Sequence, residues 1–223
     1  IILDGGKFNS TWEWYDENGV LLSTNPEFTI TKPGKYTFST TKIENDIICE
    51  AEKTFQVKET GAPEFQKVKG DNYQIAVSVT GESTYEYSLD NFNFYGDGLS
   101  YNFTQVDAGV YTVYVRDKNN CEPSISTKVS IIGFPKYFTP NDDGNNDIWQ
   151  VEGVTEDLYK YADITIFDRY GKYLYRMDLI KNQEGWNGYF NGAKLPPTDY
   201  WYKVILVDND NINFEKIGHF SLK

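Results

Sequence analysis

The sequence predicts an all-β chain made of tandem β-sandwiches, three small domains strung into an elongated rod. Three observations carry that prediction. Aromatic residues make up 17% of the 223, led by 18 Tyr and 14 Phe, and aromatic side chains fit a pleated, half-buried surface better than a helix. Short runs of alternating polarity recur between clusters of Gly, Asn and Pro, the punctuation of strands and turns. Finally, the first part of the chain repeats itself and the last part does not.

The repeat is read directly. PGKYTFSTTK at 33–42 aligns with AGVYTVYVRD at 108–117, and the WEW at 12–14 aligns with the YEY at 85–87. Cys49 and Cys121 then each precede a closing strand, AEKTFQV and ISTKVSI. The spacing between the copies is nearly constant, so a small β domain has been duplicated. The expected domains are 1–60, 61–132 and 133–223.

Within the copies each element has a local reason. In TWEWYD both Trp face one way and Glu13 the other, and Asn18-Gly19 is expected to form a two-residue hairpin turn. In NYQIAVSVTG, Tyr73, Ile75, Val77 and Val79 are expected on one face. VYTVYVRD is apolar on both sides, as a central strand is. The stretch 107–111 reads as a tyrosine corner, in which a phenol hydroxyl ties a turn back to upstream backbone; Gly34 and Tyr36 match it, with Lys32 at the Asp position. These copies resemble the PKD-like and other immunoglobulin-like modules of bacterial surface proteins, which are spacers or adhesive units. The junctions ETGAPE and IGFPK are short and contain Pro, which limits their freedom.

Charge and cysteine use narrow the function. Asp plus Glu is 33 against 21 Lys plus Arg, a net charge of −12, and an anionic surface repels nucleic-acid phosphates and acidic lipid. No apolar run approaches the roughly 18 residues that cross a bilayer. The start, IILDGG, lacks an initiator Met and a charged-then-apolar leader, so the chain is expected to be a piece of something longer. Cys49 and Cys121 fall in separate domains and in no metal spacing, and two buried free thiols are expected.

The third part is another β unit, of a size that can hold its own core. ADITIFDRYGKYLYRMD is a hairpin turning at 168–171, Tyr200 to Val207 is a strong strand, and IGHFSLK closes the chain. The order FTPN-x-DG-x-ND-x-W, IFDRYGK, GWNG, LPPTDYWY, GHFSLK over residues 134–223 resembles the type B C-terminal sorting domain of the Bacteroidetes type IX secretion system. Two positions depart from that pattern: Asp142 stands where Gly is usual, and Asn187 where Asp is usual.

The resemblance implies the end of a large secreted adhesin, of the gliding-motility type, displayed at the cell surface after passage through the periplasm. The implied partners are an outer-membrane PorP/SprF-like protein, the type IX translocon and the rest of the adhesin chain. The implied sorting-motif or receptor residues are Thr139, Pro140, Asn141, Asp143, Gly144, Asn146, Asp147, Asp168, Arg169, Tyr170, Gly171, Lys172, Trp186, Tyr200, Trp201 and Phe220. A carbohydrate- or protein-binding adhesion module with no sorting role is the alternative.

Each motif also has a structural reading. NDDGNND is either an Asx-rich turn or a calcium loop with Asn141, Asp143 and Asp147 as ligands, Asp142 or Asn146 adding to them and Glu152 at the twelfth position. Trp149, Trp186 and Trp201 are expected in the core, a sugar-stacking platform being the other reading. IFDRYGK is a hairpin turn with an Asp168–Arg169 pair, or a surface on which Arg169, Tyr170 and Lys172 meet a receptor. HFSLK is expected to border the sheet and offer free backbone groups for strand addition. Enzymatic chemistry is not expected: His219 is the single histidine, which rules out paired-histidine zinc sites, and no nucleophile elbow or phosphate loop is present. No cofactor other than calcium is implied.

Overall fold

The computed structural model describes residues 1–6, 10–59, 61–119, 123–181 and 185–223. The chain forms two compact units, Ile1–Gly61 and Ala62–Lys223. All regular structure among the described residues is strand.

The first unit holds β1 (Ile2–Asp4), β2 (Ser10–Tyr15), β3 (Leu21–Ser23), β4 (Glu27–Thr29), β5 (Gly34–Glu44) and β6 (Ile47–Val57). One sheet has the order β3-β2-β5-β6, and β1 pairs with β4. Trp14 and Ile30 are its buried apolar residues among those described, and Trp14 packs on Phe38 with ring centroids 4.4 Å apart. The β2–β3 hairpin is not the expected two-residue turn. Asp16 and Val20 close three residues, and the Asp16 carboxylate accepts from the backbone N–H of Asn18 and of Val20. Gly19 takes the left-handed position, φ 77°. Cys49 is an exposed free thiol, contrary to the expectation of burial, because β6 is open to solvent from Ile47 to Thr54. Cys121 lies outside the described residues.

The second unit begins with β7 (Glu64–Asp71), β8 (Gln74–Thr80), β9 (Tyr85–Ser88), β10 (Ser100–Thr104), β11 (Gly109–Asp117) and β12 (Ile125–Ile131). Two three-stranded antiparallel sheets, β10-β8-β7 and β12-β11-β9, enclose Ile75, Val77, Val79, Tyr85, Tyr87, Val113 and Val115. Tyr73 does not join that face. With Asn72 it forms a turn in which both φ angles are positive, 48° and 60°, the two-residue hairpin geometry, and its ring is 63% exposed. Both expected tyrosine corners form: Tyr111 donates to the carbonyl of Asp107 at 3.0 Å and Tyr36 to that of Lys32 at 2.9 Å. The acceptor is main-chain oxygen, so the Asp-to-Lys change costs nothing.

The same unit continues with β13 (Tyr137–Phe138), β14 (Tyr159–Phe167), β15 (Tyr173–Asp178), β16 (Tyr189–Phe190), β17 (Ala193–Lys194), β18 (Asp199–Asp208) and β19 (Asn213–Leu222). A five-stranded sheet, β13-β19-β18-β14-β15, forms one layer, with β13 parallel to β19. Its inner face alternates as the sequence does, burying Ala162, Ile164 and Ile166 on β14 and Tyr200, Tyr202, Val204 and Leu206 on β18. A seam joins this core to the preceding sandwich. Gly133 and Glu152 exchange backbone hydrogen bonds, the Ser130 and Tyr159 hydroxyls meet at 2.9 Å, and Phe134 stacks on Tyr202 at 5.4 Å.

Candidate recognition surface

The polar loop is organised by one carboxylate. Asp147 Oδ1 accepts the backbone N–H of Asn141 at 2.9 Å and of Asp142 at 2.8 Å, and its Oδ2 accepts that of Gly144 at 2.7 Å. The Gly144 bond, aided by those of Asp142 and Asn141 and opposed by desolvation, holds the Asp147 carboxyl below the usual carboxylate range, as donors aimed at the charged form do. Asp143 accepts from Asn141 Nδ2 and from the N–H of Asn145. The turn is fastened outward as well, Thr139 N–H donating to Asn146 and Lys194 Nζ to the Pro140 carbonyl. Asn141, Asp143 and Asp147 are thus brought together, as a calcium loop would require. Their oxygens face the loop's own donors, and no cluster of three or more acidic, His or Cys side chains suited to a metal exists among the described residues. Glu152 lies elsewhere, on the seam with Gly133. Asp142 adopts a left-handed φ of 62°, which explains why Gly suits that position and why Asp, which tolerates it, can replace it.

Next to this loop the aromatic motifs converge. Trp149 and Trp186 form an isolated antiparallel bridge, and both rings are buried against Phe220, which has no exposed surface. Trp149 stacks on Phe220 with centroids 4.1 Å apart, and Trp186 meets it edge-on at 5.9 Å. Each indole N–H is satisfied, by the carbonyls of Pro135 and Tyr189 respectively. GWNG has a physical reading here. A Cβ on Gly185 would lie 2.7 Å from the Trp149 carbonyl oxygen, and one on Gly188 would lie 2.8 Å from Leu222. Asn187 Oδ1 accepts the N–H of Tyr189, the job an Asp would do. With both rings enclosed, Trp149 and Trp186 form no sugar platform. Trp201 departs from the expected core position: it lies half-buried on the other face of β18, beside His219.

The exposed motif residues gather at a cleft of about 400 Å³ between the 168–172 turn and the 195–200 segment. The expected Asp168–Arg169 pair is absent. Asp168 Oδ1 instead accepts the N–H of Tyr170 at 2.8 Å and of Lys172 at 2.9 Å, and its main chain closes on Lys172 and Gly171. Arg169 turns away to donate to the Thr198 hydroxyl, and Lys172 Nζ sits 4.8 Å over the Phe190 ring. Neither cation enters an ion pair among the described residues. Leu174 and Tyr200 are buried beneath them, and Tyr200 donates to the Pro196 carbonyl at 2.8 Å, a third tyrosine corner. Burial pushes the Tyr200 hydroxyl up, against the opposing field of Arg169. Tyr170, at the tip, is 87% exposed.

The sequence of this region decides its family. Residues 132–221 match the model of the CHU_C Type IX secretion signal domain. This C-terminal segment is a type IX secretion signal domain. Comparison with curated proteins finds no match. Solved structures resembling the whole chain include a tetra-tandem repeat from the extending region of a large adhesion protein, at 13% identity and TM-score 0.26 over 96% of this chain and 66% of that one. Dimeric latent PorU from Porphyromonas gingivalis matches at 9% identity and TM-score 0.26 over 96% of this chain and 29% of that one. Sidekick-1 immunoglobulin domains 1–5 match at 10% and 0.27 over 96% and 52%. The chain therefore spans less than two thirds of each of these structures, and similarity at this level carries no argument about function.

In the signal domain the last residues are not an open edge. Tyr137 and Phe138 pair with Ser221 and Leu222, and the N–H groups of Ser221 and Lys223 donate to Lys136 and Phe138. The expectation that HFSLK borders the sheet therefore fails at its C-terminal end, where the short β13 has been laid alongside. Sequence reading also missed part of the cleft wall: Phe190, Leu195, Pro196, Pro197 and Thr198 were visible only as a proline-rich connection. LPPT before a Tyr four residues past the first Pro was the available signal for a corner.

Proposed function

We propose that the chain is the C-terminal part of a secreted surface adhesin, of the gliding-motility type, whose last domain directs export by the type IX machinery. In this reading an outer-membrane PorP/SprF-like protein, with the translocon, reads the folded signal domain, and the Ig-like and PKD-like copies ahead of it serve as stalk. The product resides at the cell surface. One observation carries the receptor assignment. Thr139 to Asp147, Trp186, Tyr200 and Phe220 each have a structural task in the loop or core, whereas Arg169, Tyr170 and Lys172 project from a turn built without their side chains. Exposed side chains presented by a turn whose own hydrogen bonds do not use them suit recognition.

The test is a periplasmic reporter fused to Ala62–Lys223 in a type IX-competent cell. Surface delivery that drops when Arg169, Tyr170 and Lys172 are changed together to Ala, with an unchanged melt, supports the reading. Delivery unaffected by the triple change removes these residues from recognition.

A further inference from the structure

The two copies of the duplicated module differ by one strand. Gly5 N–H donates to the Pro26 carbonyl as Val79 N–H donates to that of Leu99. Ile30 N–H donates to the Ile1 carbonyl where, in the second copy, Phe103 stands opposite Ile75. Trp14 Nε1 donates to the Asn25 carbonyl as the Tyr87 hydroxyl donates to that of Gly98. The corner tyrosines Tyr36 and Tyr111 lie opposite Phe55 and Val129. β1 and β4 are therefore the counterparts of β8 and β10, and β5 and β6 those of β11 and β12. β7 has no counterpart in the first unit among the described residues. In the second copy β7 pairs antiparallel with β8 from Glu64 to Asp71 and packs Phe65 and Val68 against the core. It runs so close to β12 that a Cβ on Gly70 would lie 2.0 Å from the Ser130 carbonyl oxygen.

The first unit is correspondingly open. Ile1 is 65% exposed where Ile75 is fully buried, and Phe55 is half-buried where Val129 is buried. Among the described residues, two apolar side chains are buried in the first unit against ten in the core of the second copy. Ile1 and Gly5 direct their backbone bonds at β4, so the alternate groups, those of Ile2 and Asp4, face the other edge of β1. No strand pairs there among the described residues. We propose that this edge is a strand seat, filled by an extended segment with an apolar inner face that lies antiparallel along β1 and against the end of β6. The segment enters in cis, through a two-residue turn at the amino end of β1, as Asn72 and Tyr73 join β7 to β8. A short edge favours a tethered strand. β1 has three residues, too few pairs to offset the freedom a separate chain loses on association, whereas a tethered strand loses only that of a short loop. The inference is independent of the export reading.

The test adds a second copy of residues 62–74 directly ahead of Ile1 in the full 223-residue chain, so that the grafted Gln74 precedes Ile1 as Gln74 precedes Ile75. Amide hydrogen exchange at Ile2 and Asp4, read by NMR, should slow by roughly tenfold or more. A graft carrying Phe65→Asp and Val68→Asp should lose most of that protection, because the two side chains that would enter the core are then charged. Unchanged exchange at Ile2 and Asp4 with the native graft, or equal protection by the charged graft, would overturn the proposal. The source of the strand is tested with the free peptide of residues 62–74 at about 0.1 mM, below the millimolar effective concentration of a tethered segment. It should leave exchange at Ile2 and Asp4 unchanged. Protection by the free peptide as strong as that by the graft would overturn the cis assignment and make the edge a docking site for a separate chain.

Discussion

Trp149 and Trp186 exchange two backbone hydrogen bonds, each 2.8 Å long, and bury both rings in the same core. Two motifs far apart in sequence are thereby fixed to one another, and both rest on Phe220 from the last strand. The signal domain is closed by its own terminal residues.

Phe220→Ala should therefore be severe. Truncating a fully buried Phe costs about 3–5 kcal/mol, a large share of a small domain's stability. Chemical denaturation of Ala62–Lys223 checks this, and removing Phe220–Lys223 should abolish cooperative folding. A loss below about 1 kcal/mol for Phe220→Ala would contradict the packing described.

Asp147→Asn should lower the melting temperature more than Asp143→Asn. An amide presents N–H groups where the Asp147 Oδ2 now accepts from Gly144. Because the folded carboxyl titrates below its ordinary value of 3.8, its contribution is complete above that pH and disappears as pH falls through the lower folded value. The gap in melting temperature between wild type and Asp147→Asn should accordingly be widest near neutrality and close in acid. A gap that widens in acid would contradict the assignment.

The loop should be indifferent to calcium. Its carboxylates already hold its own N–H donors, so neither added calcium nor a chelator should move the melt. A clear rise with calcium would show that the donors rearrange around an ion.

The three tyrosine corners give a graded series. Tyr→Phe removes one hydrogen bond, worth about 0.5–1.5 kcal/mol. Tyr200→Phe should fall at the upper end because its ring is buried, and Tyr36→Phe and Tyr111→Phe at the lower end because their bonds are exposed. Equilibrium unfolding of each variant checks the order.

Much of this was legible in advance where one side chain's chemistry decides its own surroundings. The alternation of Tyr200, Tyr202, Val204 and Leu206 announces a strand with one buried face, and the Asn and Asp crowding at 141–147 announces a turn. Legibility failed where a neighbour distant in sequence decides. Cys49 reads as a small core residue, yet it sits on a strand with no layer over it. Tyr73 continues the alternation of β8 but is taken by the turn that pairs β7 with β8. Trp201 reads as core by type, but its place between Tyr200 and Tyr202 turns it to the opposite face. The corner at Tyr200 was hidden because no Gly stands two residues before it, and the cleft because its walls come from separate segments.

The most direct measurement is the surface-to-periplasm ratio of a reporter fused to Ala62–Lys223, compared with the same fusion ending at Ile131. The full fusion should reach the surface and the shortened one should remain in the periplasm. Equal delivery of both, or periplasmic retention of a full fusion shown to be folded, would contradict the assignment of the last domain as the export signal.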